Sequence, residues 1–309
     1  MGPRIPLITG PTAVGKSSVA LALAESHGGE IVSCDSRQVY AELEIGTARP
    51  TSDEMARVPH HLVGVATLSD PWSAGRFGRE AEVALTDIKA RGAQPVVIGG
   101  STLYIQALVD GLADIPATDP AVRNALNEKL QIVGSEVLYE ALFRVDPVFA
   151  ETLDATKSQR IIRGLEVYAS TGHPLSYFFK TVPPPAHSYR VIVLDRDRED
   201  LYRRIDARVH AMMDAGQLDE VYRLMQQGFD PEENPLRTIG YSELAPVLRG
   251  ETTLEEAVIL IQRNSRRYAK RQLTWLRGRP DATWLNVEAE DSAESLAERI
   301  AELMEASGD

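Results

Sequence analysis

Ile5-Pro6-Leu7-Ile8-Thr9, followed by Gly10-Pro11-Thr12-Ala13-Val14-Gly15-Lys16-Ser17, is the stretch on which the reading of the chain turns. A short apolar run stopped by a glycine reads as a buried strand. From Lys16 to Glu25, Ala, Leu and Val fall on all sides, the pattern of a helix covered on both flanks. Between them lies the full G-x-x-x-x-G-K-[ST] pattern, in the strand-to-helix setting that gives it meaning. Its glycines let the backbone wrap an anion, so successive N–H groups and the helix N-terminus point at phosphate oxygens. Lys16 adds a mobile cation, and the Ser17 hydroxyl can ligate Mg²⁺. A fortuitous glycine-rich turn is the alternative, and the matching strand and helix speak against it.

Working outward, Glu30 to Cys34 reads as a second strand that stops at Asp35, and Arg76 to Arg91 has helical spacing. Pro95 to Ile98 makes another strand, ending at Gly99-Gly100. Strands alternating with helices are the signature of a parallel α/β sheet. From Asp119 to about Tyr177 the pattern is helical, bounded by Pro116, Pro120 and Pro174, and a stiff run Pro183-Pro184-Pro185 follows. Tyr189 to Leu194 resumes the strand pattern and ends at Asp195. The tail from Arg198 to Asp309 is mainly helical, with a short strand near Thr283 to Leu285. The expected fold is α/β: a P-loop-type parallel sheet core over 1–118 and 181–309, with a helical insertion domain over 119–180 and a mainly helical C-terminal part.

The 309 residues are 43% hydrophobic and 25% charged, ordinary for a soluble globular protein. One cysteine, Cys34, excludes an internal disulfide and a cysteine-based zinc finger, and reads as a small buried core residue. A reducing cytoplasm is the expected location. The N-terminus lacks a signal-peptide pattern, and no apolar run approaches the roughly 20 residues needed to cross a bilayer. A net charge of −12 argues against a generic nucleic-acid binder. Charge is segregated, however: Ala257 to Pro280 carries +7 and no acid, leaving −19 elsewhere. Arg263, Arg266, Arg267, Lys270 and Arg271 share one helix face. Charge stripes are usually solvated surface, but those normally mix signs. Contact with an RNA backbone is expected here.

Most phosphate loops hold ATP or GTP. A hydrolase usually also has an apolar strand ending in an acidic Mg²⁺ partner. Val96-Val97-Ile98 ends instead in Gly99-Gly100-Ser101, which weakens that reading and leaves a small-molecule kinase open. Ligands of an open parallel sheet bind beyond its carboxyl ends, here Gly10, Asp35 and Gly99. If the first two strands are neighbours, Asp35 lies beside the bound phosphate, to ligate Mg²⁺ or to remove a proton. Capping of the following turn is its plainer role. Gln38 could match an adenine edge or be an ordinary loop residue. By spacing alone, Arg208 reads as a helix-surface cation pairing near Asp206. Tyr268 and Trp275 read as packing residues, and His60 and His61 as loop residues packed before an apolar run.

Further motifs then fall in order: Asp35-Ser36-Arg37-Gln38-Val39-Tyr40, Ile45-Gly46-Thr47-Ala48-Arg49-Pro50, Pro59-His60-His61-Leu62 and Gly99-Gly100-Ser101-Thr102-Leu103-Tyr104. Asp119-Pro120 to Arg123, Gln159-Arg160 to Arg163, Arg237 to Tyr241 and Lys270 to Arg277 continue the series. Together with the phosphate loop, this series resembles the bacterial tRNA dimethylallyltransferases (tRNA isopentenyltransferases, the IPP transferase family), from about residue 5 to 285.

The resemblance implies transfer of a dimethylallyl group from dimethylallyl diphosphate to N6 of the adenosine 3′ of a tRNA anticodon. It implies that Gly10, Pro11, Thr12, Ala13, Val14, Gly15, Lys16 and Ser17 hold the diphosphate rather than ATP, with Ser17 on Mg²⁺. Asp35 matches the residue that takes the N6 proton, and Arg208 one that contacts the diphosphate; Lys16 completes the catalytic set. Asp35, Ser36, Arg37, Gln38, Ser101 and Arg123 match tRNA-contacting positions. So do Gln159, Arg160, Ile161, Ile162, Arg163, Arg237, Thr238, Ile239, Gly240, Tyr241 and Ser242. Lys270, Arg271, Gln272, Leu273, Thr274, Trp275, Leu276 and Arg277 complete that set. Ser17 and Ser101 stand where relatives often carry Thr, and Arg49 where Lys is common; hydroxyl and charge are kept. A monomer acting on an anticodon stem-loop is the expectation. The nearest rival is an adenylate isopentenyltransferase, followed by an ATP-dependent small-molecule kinase.

Overall fold

The computed structural model describes residues 4–70, 72–233 and 235–306. Strand β1 (Ile5–Thr9), helix α1 (Lys16–Ser26) and strand β2 (Gly29–Ser33) follow the apolar runs. Helix α2 (Ser52–Arg57), opened by a Thr51–Glu54 capping box, leads into the two-residue strand β3 (His60–His61). Helix α3 (Ala74–Ala90), strand β4 (Gln94–Ile98) and helix α4 (Thr102–Val109) follow. Next come four helices, α5 (Pro120–Val145), α6 (Pro147–Ala150), α7 (Ser158–Thr171) and α8 (Leu175–Phe178). Strand β5 (Tyr189–Arg196) then resumes the sheet. The chain continues through α9 (Arg198–Asp214), α10 (Gln217–Gln226), α11 (Ala245–Leu248), α12 (Leu254–Arg277), strand β6 (Thr283–Val287) and α13 (Ala293–Glu305).

All six strands are parallel, in the order β3-β2-β4-β1-β5-β6. The expected α/β sheet is present, but β1 and β2 are not neighbours. Strand β4 lies between them, Leu7 facing Val97 on one side and Ile31 facing Val96 on the other. His60 and His61 form an edge strand on β2 instead of a loop. The His61 Nε2 sits 2.6 Å from a Glu30 oxygen, so the pairing is reinforced by side chains.

Helices cover both faces of the sheet, which is why its strands read as continuous apolar runs rather than alternating ones. On one face Ile8, Ile31, Val96, Ile192 and Leu194 pack with residues of α1, α9 and α13. On the other, Leu7, Val32, Val97, Val191 and Val193 meet Phe77, Leu85, Tyr104 and Leu108 of α3 and α4. A third cluster joins Val39, Tyr40 and Leu43 to Val209, Val221, Tyr241, Leu244 and Ile261, fixing the loops beyond the carboxyl ends of the strands. Cys34 is fully buried, and burial pushes its thiol well above the usual range. The carbonyl oxygen of Cys34 would stand 2.0 Å from a Cβ on Gly99, so only glycine fits there.

The chain falls into two compact units, one running to Asp110 and resuming at Pro185, the other Gly111–Pro184. The second unit starts before 119 and ends after 180 because its entry and exit segments meet, Gly111 lying against the Pro183 carbonyl. Within it, α5 breaks at Gly134 (φ 80°), and its second half packs on α7 through Leu138, Leu142, Ile161 and Ile162. Among the described residues, no helix is long and apolar enough to cross a membrane.

Candidate active site

Helix α1 begins at Lys16 with Gly15 at its N-cap, and no side chain caps its first turn. Its leading N–H groups therefore remain open to an anion, at the positive end of the helix dipole. Lys16 folds back over the loop, donating to the Gly10 and Pro11 carbonyls at 3.1 and 2.9 Å. Burial, aided by the nearby Arg208 charge and opposed by Asp35, brings the Lys16 ammonium down to about 8. Ser17 is exposed at the mouth.

Arg208 reaches the same place from α9, donating to the Thr47 carbonyl at 3.4 Å. Burial lowers its pKa while Asp35 acts in the opposite sense. Its helix-surface alternative does not hold, because Asp206 pairs with Arg266 at 2.6 Å. Three charges thus converge: Lys16, Arg208 and Asp35.

Two adjoining cavities meet here. The larger, about 580 Å³, lies over the phosphate loop and includes Lys16, Ser17, Gly100, Arg204 and Arg208. The smaller, about 330 Å³, is walled by Ser36, Arg37, Arg237, Thr238 and Arg271 and by the aliphatic side chains of Ile205, Val209, Met212, Ile239 and Ile261. Thr12, Ala13, Asp35, Thr47, Arg208 and Tyr268 border both. The intervening strand β4 ends in Gly99 and Gly100, so it places no side chain between Asp35 and the phosphate loop. One Asp35 oxygen accepts from the Arg37 and Gln38 amides at 2.8 and 3.3 Å. Its other oxygen has no protein hydrogen bond among the described residues. Asp35 is both a turn cap and a carboxylate at the junction.

Ser36, Arg37, Arg237, Thr238, Ile239, Gly240 and Arg271 also line the smaller cavity. Arg37 is held by the Pro235 carbonyl, and Ser242 donates to the Pro231 carbonyl at 2.9 Å. Lys270, Thr274 and Arg277 are exposed on α12, with Leu273 half-buried. In the helical unit Gln159 and Arg160 are exposed, and Arg123 and Arg163 share the buried Glu166 carboxylate at 3.0 and 3.2 Å. Ser101 caps the start of α4 in position only, without a side-chain hydrogen bond.

Several expected RNA contacts face inward instead. The Gln38 amide is spent: its oxygen accepts from Ser33 at 3.1 Å, and its nitrogen donates to Thr47 and Ala48 carbonyls at 3.2 and 3.0 Å. The side chain is half-buried and borders the larger cavity. Ile161 and Ile162 are core residues of the helical unit, and Leu276 is core to the sheet. Tyr241 is fully buried, its hydroxyl given to Glu220. That Glu220 carboxylate also receives the Ile45 amide at 2.8 Å, steadying the loop that carries Thr47. Gln272 is buried between the phosphate loop and Gly100. Trp275 packs at the edge of the sheet core, with Arg279 over its ring at 5.4 Å.

Two residues at the site escaped the sequence reading. Arg204 donates to the Ala13 carbonyl at 2.9 Å and borders the larger cavity. Its spacing from Arg208, one helical turn, was the available signal. Tyr268, read as packing, borders both cavities, with Arg271 over its ring at 5.6 Å.

Comparison with known proteins gives the same picture. The profile described as IPP transferase matches residues 38–279, and that described as isopentenyl transferase matches 3–71. A tRNA dimethylallyltransferase of Salinibacter ruber is 50% identical, over 94% of this chain and 90% of its own length. The chain belongs to the IPP transferase family. A second relative in that family, tRNA dimethylallyltransferase 1 of Pelobacter propionicus, is 46% identical over 92% of each chain. Among solved structures, a tRNA isopentenylpyrophosphate transferase from Bacillus halodurans is 36% identical, with a TM-score of 0.69 over 99% of this chain and 98% of that one. A eukaryotic dimethylallyltransferase captured acting on tRNA superposes with a TM-score of 0.80 at 28% identity, covering 97% of this chain and 78% of that one. Like its family, the protein is a transferase.

Proposed function

We propose that the protein transfers the dimethylallyl group of dimethylallyl diphosphate to N6 of the adenosine 3′ of a tRNA anticodon. The observation that carries the reading is the free oxygen of Asp35 at the border of the two cavities. The donor's diphosphate lies over the phosphate loop, and the acceptor adenine enters from the smaller cavity.

An exocyclic adenine amine is a weak nucleophile because its lone pair is delocalised into the ring. It gains strength if a base accepts its proton as the new bond forms. In the reaction, the bond between C1 of the prenyl group and the diphosphate oxygen breaks and a C1–N6 bond forms. The N6 proton passes to the Asp35 carboxylate, and diphosphate leaves. Lys16, Arg208 and the open amides of α1 face the charge that grows on the leaving group. Removing one such preorganised donor costs about 3–4 kcal/mol, roughly 100- to 1000-fold in rate.

Mg²⁺ keeps several waters and binds through one or two protein ligands plus substrate phosphates. Ser17, exposed at the loop and bordering the larger cavity, would be the protein ligand of that kind. When bound, the ion neutralises diphosphate charge. An anticodon loop supplies unpaired bases that can be extruded into such a site. The exposed cations of α12 face its phosphates in this reading, and a cytoplasmic monomer suffices for the chemistry.

Offering tRNA and AMP as alternative acceptors, with dimethylallyl diphosphate and Mg²⁺, tests the acceptor class. Prenylated tRNA is expected; product from AMP alone contradicts the proposal and favours an adenylate isopentenyltransferase.

A further inference from the structure

Helix α12 presents cations outward, yet one polar side chain on it points the other way. Gln272 belongs to its buried face, with Ala257, Ile261, Ala269 and Leu276. Gln272 is 3% exposed. Its carboxamide oxygen accepts the Thr12 amide of the phosphate loop at 2.9 Å, and its nitrogen donates to the Gly100 carbonyl at 2.8 Å. A Cβ on Gly100 would stand 2.3 Å from that nitrogen, so the glycine and the amide are fitted to each other.

We propose that Gln272 is a positioning residue of the donor site, fixing the phosphate loop against the loop after β4, and not a contact to RNA. The inference rests on the reading that this loop receives the donor diphosphate. Both polar ends of the amide are engaged inside the protein, and the side chain borders the larger cavity but not the smaller one. The Thr12 amide is engaged too, and the Val14 amide donates to the Pro11 carbonyl at 3.4 Å, so the anion cradle is left to the other amides that follow Thr12. A carboxylate at this position would still accept from Thr12. It would also face the Gly100 carbonyl without a proton to give, and would set a negative charge beside the diphosphate.

The test measures binding of inorganic pyrophosphate with Mg²⁺, binding of tRNA, donor KM and thermal unfolding for the full chain and for Gln272→Met, Gln272→Asn and Gln272→Glu. For the Met variant, which loses both buried hydrogen bonds, and for the shorter Asn variant, pyrophosphate affinity is expected to fall at least about tenfold, the worth of one such bond, with donor KM rising in step. Gln272→Glu is expected to lose more, and tRNA affinity to stay within about twofold throughout. Weakened tRNA binding with unchanged pyrophosphate affinity overturns the proposal in favour of direct RNA contact. Lowered thermal stability with unchanged pyrophosphate binding below the transition overturns it in favour of simple packing. Failure of the unaltered protein to bind pyrophosphate defeats the reading of the loop itself, and this inference with it.

Discussion

One oxygen of Asp35 ties the turn at Arg37 and Gln38, and that tie holds the other toward the junction of the two cavities. Replacement by Asn keeps an acceptor for the turn but removes the base. Transfer is expected to fall by about 10²- to 10⁴-fold in kcat, the usual worth of a general base, while tRNA affinity is kept. Single-turnover assays beside filter binding check both halves, and an active Asp35→Asn protein contradicts the base assignment. Lys16 supplies a pH test. A lysine brought down to about 8 gives up its proton well below the usual range, so its cation is present at pH 7 and lost as pH rises through 8. Pyrophosphate affinity should therefore weaken between pH 7 and 9.5, a dependence that Lys16→Arg should flatten. Asp35 and Lys16 were legible because strand ends and the phosphate loop fix where their side chains go. The hydrogen bonds of Gln38 and Gln272 were not, since their partners are carbonyls, a hydroxyl and an amide that only the folded chain brings near.

At the scale of elements, α12 was visible from its spacing, but its charge balance was not. Beyond its first turn, where Glu255 and Glu256 sit, the helix holds no acid of its own, yet Asp206 on α9 neutralises Arg266 across the helix packing. Arg267 and Lys270 lie exposed instead. Replacing either by Ala should weaken tRNA binding and reduce the slope of log affinity against log salt by up to about one unit per lost phosphate contact. Arg266→Ala should leave that slope nearly unchanged and cost at most about 1 kcal/mol of stability, as partly exposed ion pairs do. Salt titrations of binding and thermal unfolding of the three variants separate the cases. Strand β1 and helix α1 declared themselves by apolar pattern, whereas β3 has two residues and no period to read. Nor does sequence spacing say which strand lies between β1 and β2, because crossover packing decides that order.

At the scale of the molecule, an acidic chain of net charge −12 gathers cations on α12 and in the phosphate site. The α/β class was readable because both faces of the sheet are covered, making the inner strands β1, β2, β4 and β5 mainly apolar runs. The limits of the helical unit were less readable, being set by a contact between extended segments rather than by a helix end. The central claim joins a phosphate loop to alkyl transfer instead of to nucleotide hydrolysis. It is tested most directly by incubating the protein with dimethylallyl diphosphate labelled in its prenyl group, Mg²⁺ and bulk tRNA, in the absence of ATP. Label on N6 of a tRNA adenosine, with one diphosphate released per label transferred, is the predicted result. Unlabelled tRNA, or transfer that begins only when ATP is added, contradicts the account.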